Sequence, residues 1–340
     1  MTEMNPLQLP SARIWLPNAP WDNYVRAFIM RDTRGCNLAP NDQLNRFPAL
    51  PYCIITWYLE GEAELVSCGG QSQHVRLGQC VLSGCQSSPV TLKNCGDVHK
   101  FMVPFHPDVF HALFGINLAP LHNQFVNARE VLPLHALELI DTVFIAQSDE
   151  ERQEIIKRFL FQHLQAKPVP FWTRLRNSAV DKITLASASA MHGVGPRQLQ
   201  RIALRETGLN FQTLIKLWRS EYSHLSAQRL QLCGKTMKWA DHAVKTGYAA
   251  QSHWGSDCKA HTGRAPTQLS HDVWTEEADW FYRLEFSPHS ESSYGSCNNP
   301  VEPQCLHRPS VPCSGKIPDL YKKEGIQASI PPKDAIEPDT

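Results

Sequence analysis

Apolar residues change their spacing along this chain, and each change predicts a different kind of element. Residues 52–59 form a nearly unbroken β-branched and aromatic run, closed by the turn residues Glu60-Gly61-Glu62, which is a strand signature. Shorter runs at 64–67 and 79–82 repeat it, and Gly69-Gly70 and Ser87-Ser88-Pro89 punctuate them. Short strands spaced this way over residues 11–130 predict a sandwich or barrel. Helical spacing follows. Leu134, Leu137, Ile140 and Ile145 are expected on one amphipathic stretch. Ile155, Ile156, Phe159, Leu160 and Leu164 are expected on a second, opened by the cap and early acids of Ser148-Asp149-Glu150 and broken by Lys167-Pro168-Val169-Pro170. These stripes either pack on the β domain or form a dimer contact; the spacing leaves both open. From Ser287 onward Pro, Ser, Asn and charged residues dominate without any apolar period, the composition of a disordered tail.

Between these regions one pattern occurs twice, about 55 residues apart. The first copy runs from His192-Gly193 through Pro196-Arg197-Gln198-Leu199-Gln200-Arg201 to Thr207-Gly208, and the second from Thr246-Gly247 through Gln251-Ser252-His253-Trp254 to Thr262-Gly263. Each predicts a short helix, a glycine turn and a second helix with a polar outer face, the plan of a helix-turn-helix. Pro196 suits a first helical turn, where its missing N–H costs nothing. Leu199, Ile202 and Ala203 are expected inward, leaving Arg197, Gln198, Gln200, Arg201 and Arg205 outside. Arg and Gln are the side chains that bond guanine and adenine edges bidentately. In the second unit Gln251, Ser252, Gly255, Ser256 and Lys259 take the outer face, with Ser256 standing where the first unit has Arg201. Asn210 is placed to cap a long helix from Phe211 to about Leu232, which would fix the distance between the units.

Charge sharpens this picture. The net charge of the 340 residues is zero, but residues 174–270 carry 14 Lys+Arg against 5 Asp+Glu, residues 1–173 carry 13 against 16, and residues 271–340 carry 6 against 12. The basic block, net +9, coincides with the repeat, as expected of a surface that meets phosphates. Arg205, Lys216 and Lys259 are the candidates for phosphate contact. No apolar run approaches the length of a membrane span and Met1–Pro10 does not read as a secretory signal, so a cytoplasmic protein is expected. The 11 cysteines contain no Cys-x-x-Cys, which predicts reduced, mostly buried thiols and no metal site.

At the repeat the chain resembles the AraC-type (AraC/XylS) transcriptional regulator family. The strings that carry the resemblance are 195–201, 205–209, 247–254 and 261–266, within about residues 178–271. Residues 276–284 resemble the extension of one branch of that family, and 47–61 resemble that branch's N-terminal domain. The resemblance implies a regulatory domain followed by two helix-turn-helix units, with Arg197, Gln200 and Arg201 on one reading helix and Gln251, Ser252 and Ser256 on the other. It also exposes departures: Ala203 and Cys258 stand where bulky apolar residues are usual, and His242 where Ile or Leu is. A buried His242 must be neutral and hydrogen-bonded, and Trp239 and Trp254 are expected to refill the volume at Cys258.

The expected fold is α+β and multi-domain. A β-barrel- or sandwich-like regulatory domain (1–132) is followed by a helical linker or dimerisation segment (133–177). An all-α DNA-binding domain of two helix-turn-helix units joined by a long helix (178–271), a helical extension (272–286) and the tail (287–340) complete it. The expected partners are double-stranded DNA, a small-molecule effector and a second copy of the chain, with no cofactor and no membrane. Tyr52, Trp57 and Tyr58 either line an effector pocket or belong to the core. The leading function expected is a sequence-specific, effector-responsive transcription regulator; the second is a small-molecule sensor whose ligand binding is the main activity; the third is a metal-dependent barrel enzyme using His74, His99, His106 or His111. No His-x-His pair, nucleophile motif or phosphate loop supports it, and no catalytic residue is assigned.

Overall fold

Among the described residues, ten antiparallel strands form two sheets in the N-terminal half. The computed structural model describes residues 9–164, 168–177, 183–232 and 238–284. The expected tail, and the expected start of the second helix-turn-helix unit near Thr236, lie outside these residues. The larger sheet has the order β1 (Ser11–Trp15), β2 (Phe28–Asp32), β9 (His99–Phe105), β4 (Cys53–Glu60), β7 (Cys80–Ser83), β10 (Phe125–Asn127). The smaller has the order β3 (Leu44–Phe47), β8 (Val90–Asn94), β5 (Ala63–Cys68), β6 (Gln71–Arg76). Cys53, Ile55 and Trp57 alternate along β4 and turn one way, as the two-residue period of a strand requires. An irregularity in the β4–β9 register falls between Tyr58 and Glu60. Tyr58 joins Leu65, Val81, Val90 and Leu92 in the core between the two sheets.

The opposite face of the larger sheet is covered by helices. These are α1 (Pro107–Phe114), α3 (Leu134–Ile145), α4 (Asp149–Leu164) and α5 (Phe171–Arg176), with the short α2 (Ala128–Val131) leading in. Trp57, fully buried, donates its indole N–H to the Ile140 carbonyl at 3.3 Å and so ties sheet to helix. The stripe on α3 differs from the one its spacing suggested. Ala136, Leu139, Ile140 and Val143 face the core, whereas Leu134 and Ile145 are 85% and 72% exposed. At roughly 100° per residue these two lie about 20° apart from each other and more than 100° from Ile140, so they cannot share its face. α4 opens as expected: Ser148 Oγ accepts from the Glu151 N–H at 3.1 Å.

The C-terminal helices continue the same core. α6 (Leu185–His192), α7 (Pro196–Thr207) and the 22-residue α8 (Phe211–Leu232) contribute Ala188, Leu199, Ile202, Ala203, Leu214 and Trp218 to the cluster that holds Trp57 and Phe101. α8 is about 33 Å long at 1.5 Å per residue. Asn210 Oδ1 accepts from the Thr213 N–H at its start. α9 (Trp239–Lys245), α10 (Gln251–Thr262) and α11 (Pro266–Thr275) follow, and a 3-10 turn, Glu277–Arg283, closes the described chain. Trp280 and Phe281 of that turn, with Leu284 just after it, pack on Ile29, Leu50, Tyr52 and Met102 of the β domain. Arg31–Glu277 at 2.5 Å and Arg46–Asp279 at 3.3 Å add charge pairs across the same contact. Among the described residues no helix is long and apolar enough to cross a membrane.

Candidate nucleic-acid interface

α7 and α10 are the second helices of the two repeats, and they superpose residue for residue in sequence. Each has 12 residues, and each ends at a left-handed glycine, Gly208 (φ 73°) and Gly263 (φ 80°). The threonine before each glycine makes the same bonds. Thr207 Oγ1 donates to the Ala203 carbonyl at 2.7 Å and accepts from the Leu209 N–H at 3.2 Å. Thr262 Oγ1 donates to the Cys258 carbonyl at 2.8 Å and accepts from the Arg264 N–H at 3.2 Å. The Thr-Gly pair is thus a helix stop built from one buried hydroxyl and one residue that tolerates positive φ.

This register separates the expected site residues. On α7, Arg197, Gln198 and Arg201 are exposed, and the Gln198 side-chain oxygen accepts from the Arg201 guanidinium. Residues three apart lie on one helix face, so these three make a single polar surface over the first half of the helix. Gln200 lies elsewhere. It is half-buried, and its Oε1 accepts from the Phe211 N–H at 3.2 Å, capping α8. Arg205 is exposed at the end of α7 and pairs with Glu206 at 2.6 Å.

On α10 the exposed polar residues are Gln251, Ser252, His253, Ser256 and Lys259. The pattern in the sequence drew attention to all of these except His253. The 55-residue register, once both helix ends are known, sets His253 at the position of Gln198. Asp257 was also passed over. It occupies the position of the buried Ile202, yet it is a nearly buried carboxylate, 3.1 Å from Lys216 and 3.3 Å from Arg219 on α8. The Arg219 guanidinium also lies over the Tyr248 ring at 4.6 Å. Lys216, a candidate for phosphate contact, therefore takes part in holding α10 to α8.

The polar core of the second unit centres on Ser223. His242 is buried and donates Nε2–H to the Ser223 carbonyl at 3.0 Å, and the Trp254 indole donates to Ser223 Oγ at 2.6 Å. Burial lowers the His242 pKa, which keeps the ring neutral. Trp239 and Trp254 stack at 5.0 Å and pack with Ala243 and Tyr248, while Leu269, Val273 and Tyr282 surround Cys258. The space beside Cys258 is thus filled from α11 and the closing turn rather than by the two tryptophans.

α7 and α10 both end against the β domain. The Leu118 N–H donates to the Arg205 carbonyl at 2.9 Å, and the Ala49 N–H donates to the His261 carbonyl at 2.8 Å. A Cβ on Gly208 would stand 2.8 Å from the Leu118 carbonyl oxygen, and one on Gly263 would stand 3.5 Å from the Pro89 ring. Between these contacts Glu221 of α8 accepts from Arg26 Nε at 3.0 Å.

The three aromatic candidates of the β domain are all buried. Trp57 and Tyr58 fill the two cores, and Tyr52 lies on the seam with α8, beside a cavity of about 40 Å³. Of the histidines weighed for a metal, His74 pairs with Glu64 and His106 bonds the Asp22 carbonyl. Among the described residues no three His, Cys, Asp or Glu side chains are grouped to hold a metal ion.

No family model and no curated protein matches this chain in sequence. Similar solved structures include ToxT from Vibrio cholerae, 13% identical, covering 77% of this chain and 97% of that one with a TM-score of 0.40. Another is ToxT bound to (E)-4-(8-methylnaphthalen-1-yl)but-3-enoic acid, 14% identical, covering 77% and 98% with a TM-score of 0.39. The C-terminal domain of AraT, a response regulator from Geobacillus stearothermophilus, is 22% identical and covers 36% of this chain and 96% of its own, with a TM-score of 0.26.

Proposed function

We propose that this chain is a sequence-specific, DNA-binding transcription regulator of the AraC type whose β domain responds to a small-molecule effector. The observation that carries the reading is the pair of matched helices α7 and α10. Each presents an exposed polar face before the same Thr-Gly stop, within a segment of net charge +9. Positive charge supplies affinity for any duplex, and side chains that reach base edges supply sequence preference. Arg197, Gln198 and Arg201 are assigned to base reading in the first unit, and Gln251, Ser252 and Ser256 in the second, with His253 beside them. Arg205 and Lys259 contact phosphates. Gln200 and Lys216 support the helices instead of reaching DNA directly, because each is engaged with α8 or with Asp257.

The first unit carries most of the sequence preference, since it alone holds two arginines on its face. The second anchors and sets register. In vitro selection of bound duplexes by the full chain tests the proposal. Recovery of a consensus containing two half-sites about 10 base pairs apart is expected. Recovery of unrelated sequences with only salt-dependent affinity would show that the protein does not read bases.

A further inference from the structure

A cavity of about 320 Å³ lies where α1, the end of α4, the start of α5 and the last turn of α7 meet. Asp108, His111 and Ala112 of α1, Leu164 of α4, Phe171 of α5 and Glu206 of α7 line it. Its volume falls within the usual range of small-molecule sites, at the small end. The seam cavity beside Tyr52, about 40 Å³, has room only for a few water molecules.

The polar groups facing the larger cavity are mostly hydrogen-bond acceptors. Asp108 is 3% exposed; its Oδ1 accepts from the Thr173 hydroxyl at 2.7 Å and its Oδ2 from the Thr173 N–H at 2.8 Å. That carboxyl is held in place by α5 and has lone pairs to spare. Glu206 Oε2 accepts from the Trp172 indole at 3.2 Å and its Oε1 from Arg205 at 2.6 Å. His111 must donate Nδ1–H to the Ile116 carbonyl, 2.7 Å away, which leaves Nε2 as the ring nitrogen available to a ligand. Tyr24 is also in the lining, and no Lys or Arg is among the described residues that line the cavity. Leu164 and Phe171 supply an apolar wall.

We propose that this cavity is the effector site and that it takes a cationic amine, an ammonium group carried on an apolar body. This rests on the reading of the chain as an effector-responsive regulator. An ammonium has three donors and no acceptor. It matches a lining of two carboxyl groups and an imidazole, whereas a carboxylate ligand would meet like charge. The apolar body lies against Leu164 and Phe171. Glu206 makes the site part of the first reading helix, so an occupant touches the β-domain side and α7 together.

The test is a thermal-shift titration of the full-length protein with 2-phenylethylammonium, and with 3-phenylpropionate as the anionic counterpart. The amine is expected to raise Tm by roughly 5 °C at a hundredfold excess over its Kd, and the carboxylate to have no effect. Glu206→Gln removes a charge without changing shape, and Ala112→Leu fills the cavity without removing a polar group; each is expected to abolish the shift. A shift that persists in both variants, an equal shift with the carboxylate, or no shift with the amine overturns the site. Any of these results obtained while the protein still selects a DNA consensus sinks the amine site alone. Failure to select DNA sinks the regulator reading instead.

Discussion

The Tyr52 hydroxyl of the β domain lies 2.7 and 2.6 Å from the two carboxylate oxygens of Glu221 on α8, 169 residues away in sequence. Tyr52 is nearly buried, and burial together with Glu221 raises its pKa, so it stays a donor at every ordinary pH. Arg26 meets the same carboxylate at 3.0 Å. The helix between the two helix-turn-helix units is thereby fastened to the sheet by a charge-assisted pair in a partly dry setting.

Glu221→Gln should destabilise the full chain by about 1–3 kcal/mol, because it removes the carboxylate charge that Arg26 and Tyr52 both meet. Urea unfolding measures this. A loss below about 0.3 kcal/mol would mean that the contact contributes nothing to holding the domains together.

Two neighbouring substitutions on α7 should act in opposite ways. Arg201→Ala is expected to cost about 1–3 kcal/mol on a selected duplex, to relax preference at one base pair and to leave stability alone. Gln200→Ala removes the acceptor for the Phe211 N–H and should cost about 1 kcal/mol of stability while base preference is retained. Parallel gel-shift and unfolding measurements separate the two. The assignment fails if Gln200→Ala alters the preferred sequence and Arg201→Ala does not.

The matched helix stops should differ in tolerance. Gly208→Ala forces a Cβ to 2.8 Å from a backbone oxygen at positive φ, whereas Gly263→Ala meets only a proline ring at 3.5 Å. The left-handed backbone alone costs about 1–2 kcal/mol for a residue with a Cβ. Gly208→Ala should exceed that figure and Gly263→Ala should stay near it. Equal costs in calorimetry would contradict the close approach at Leu118.

Lys100 provides a pH test. It is fully buried, its ammonium 5.6–5.7 Å from the ring centroids of Phe47, Tyr58 and Trp280 and 3.4 Å from Asn45 Oδ1. Burial, and then the charge of Arg31, lowers its pKa from 10.5 to about 7. The unfolded chain keeps this proton up to the ordinary value and the folded chain only up to about 7, so stability should rise with pH between those two values. Lys100→Met should remove that rise. The variant should be more stable than the wild type at pH 7 by an amount on the order of a few kcal/mol, and the gain should shrink toward pH 10. Parallel stability profiles for the two proteins over that interval would rule out a buried, proton-shedding lysine.

Much of the helical architecture could be read from local chemistry. The Ser148 cap, Pro196 in a first turn, Asn210 before α8 and the paired Thr-Gly stops each depend on residues within a few positions, and all are seen. What escaped was non-local. Gln200 looks like any outward polar residue until Phe211 is folded against it. Asp257 sits where the repeat calls for an apolar side chain, and only the basic face of α8 explains it. Tyr52 reads as one more aromatic of a strand-rich segment, and nothing near it in sequence points to Glu221. On α3 apolar character alone does not mark the buried face, because Leu134 and Ile145 lie more than 100° around the helix from Ile140.

The docking of Gly208 and Gly263 has a mechanical consequence. Two helices whose ends are tied to the same domain keep one spacing, so under the proposed function they would meet DNA as a fixed-gauge calliper with jaws set by the β domain. A duplex whose half-sites are moved apart by a few base pairs would then gain nothing from the second jaw.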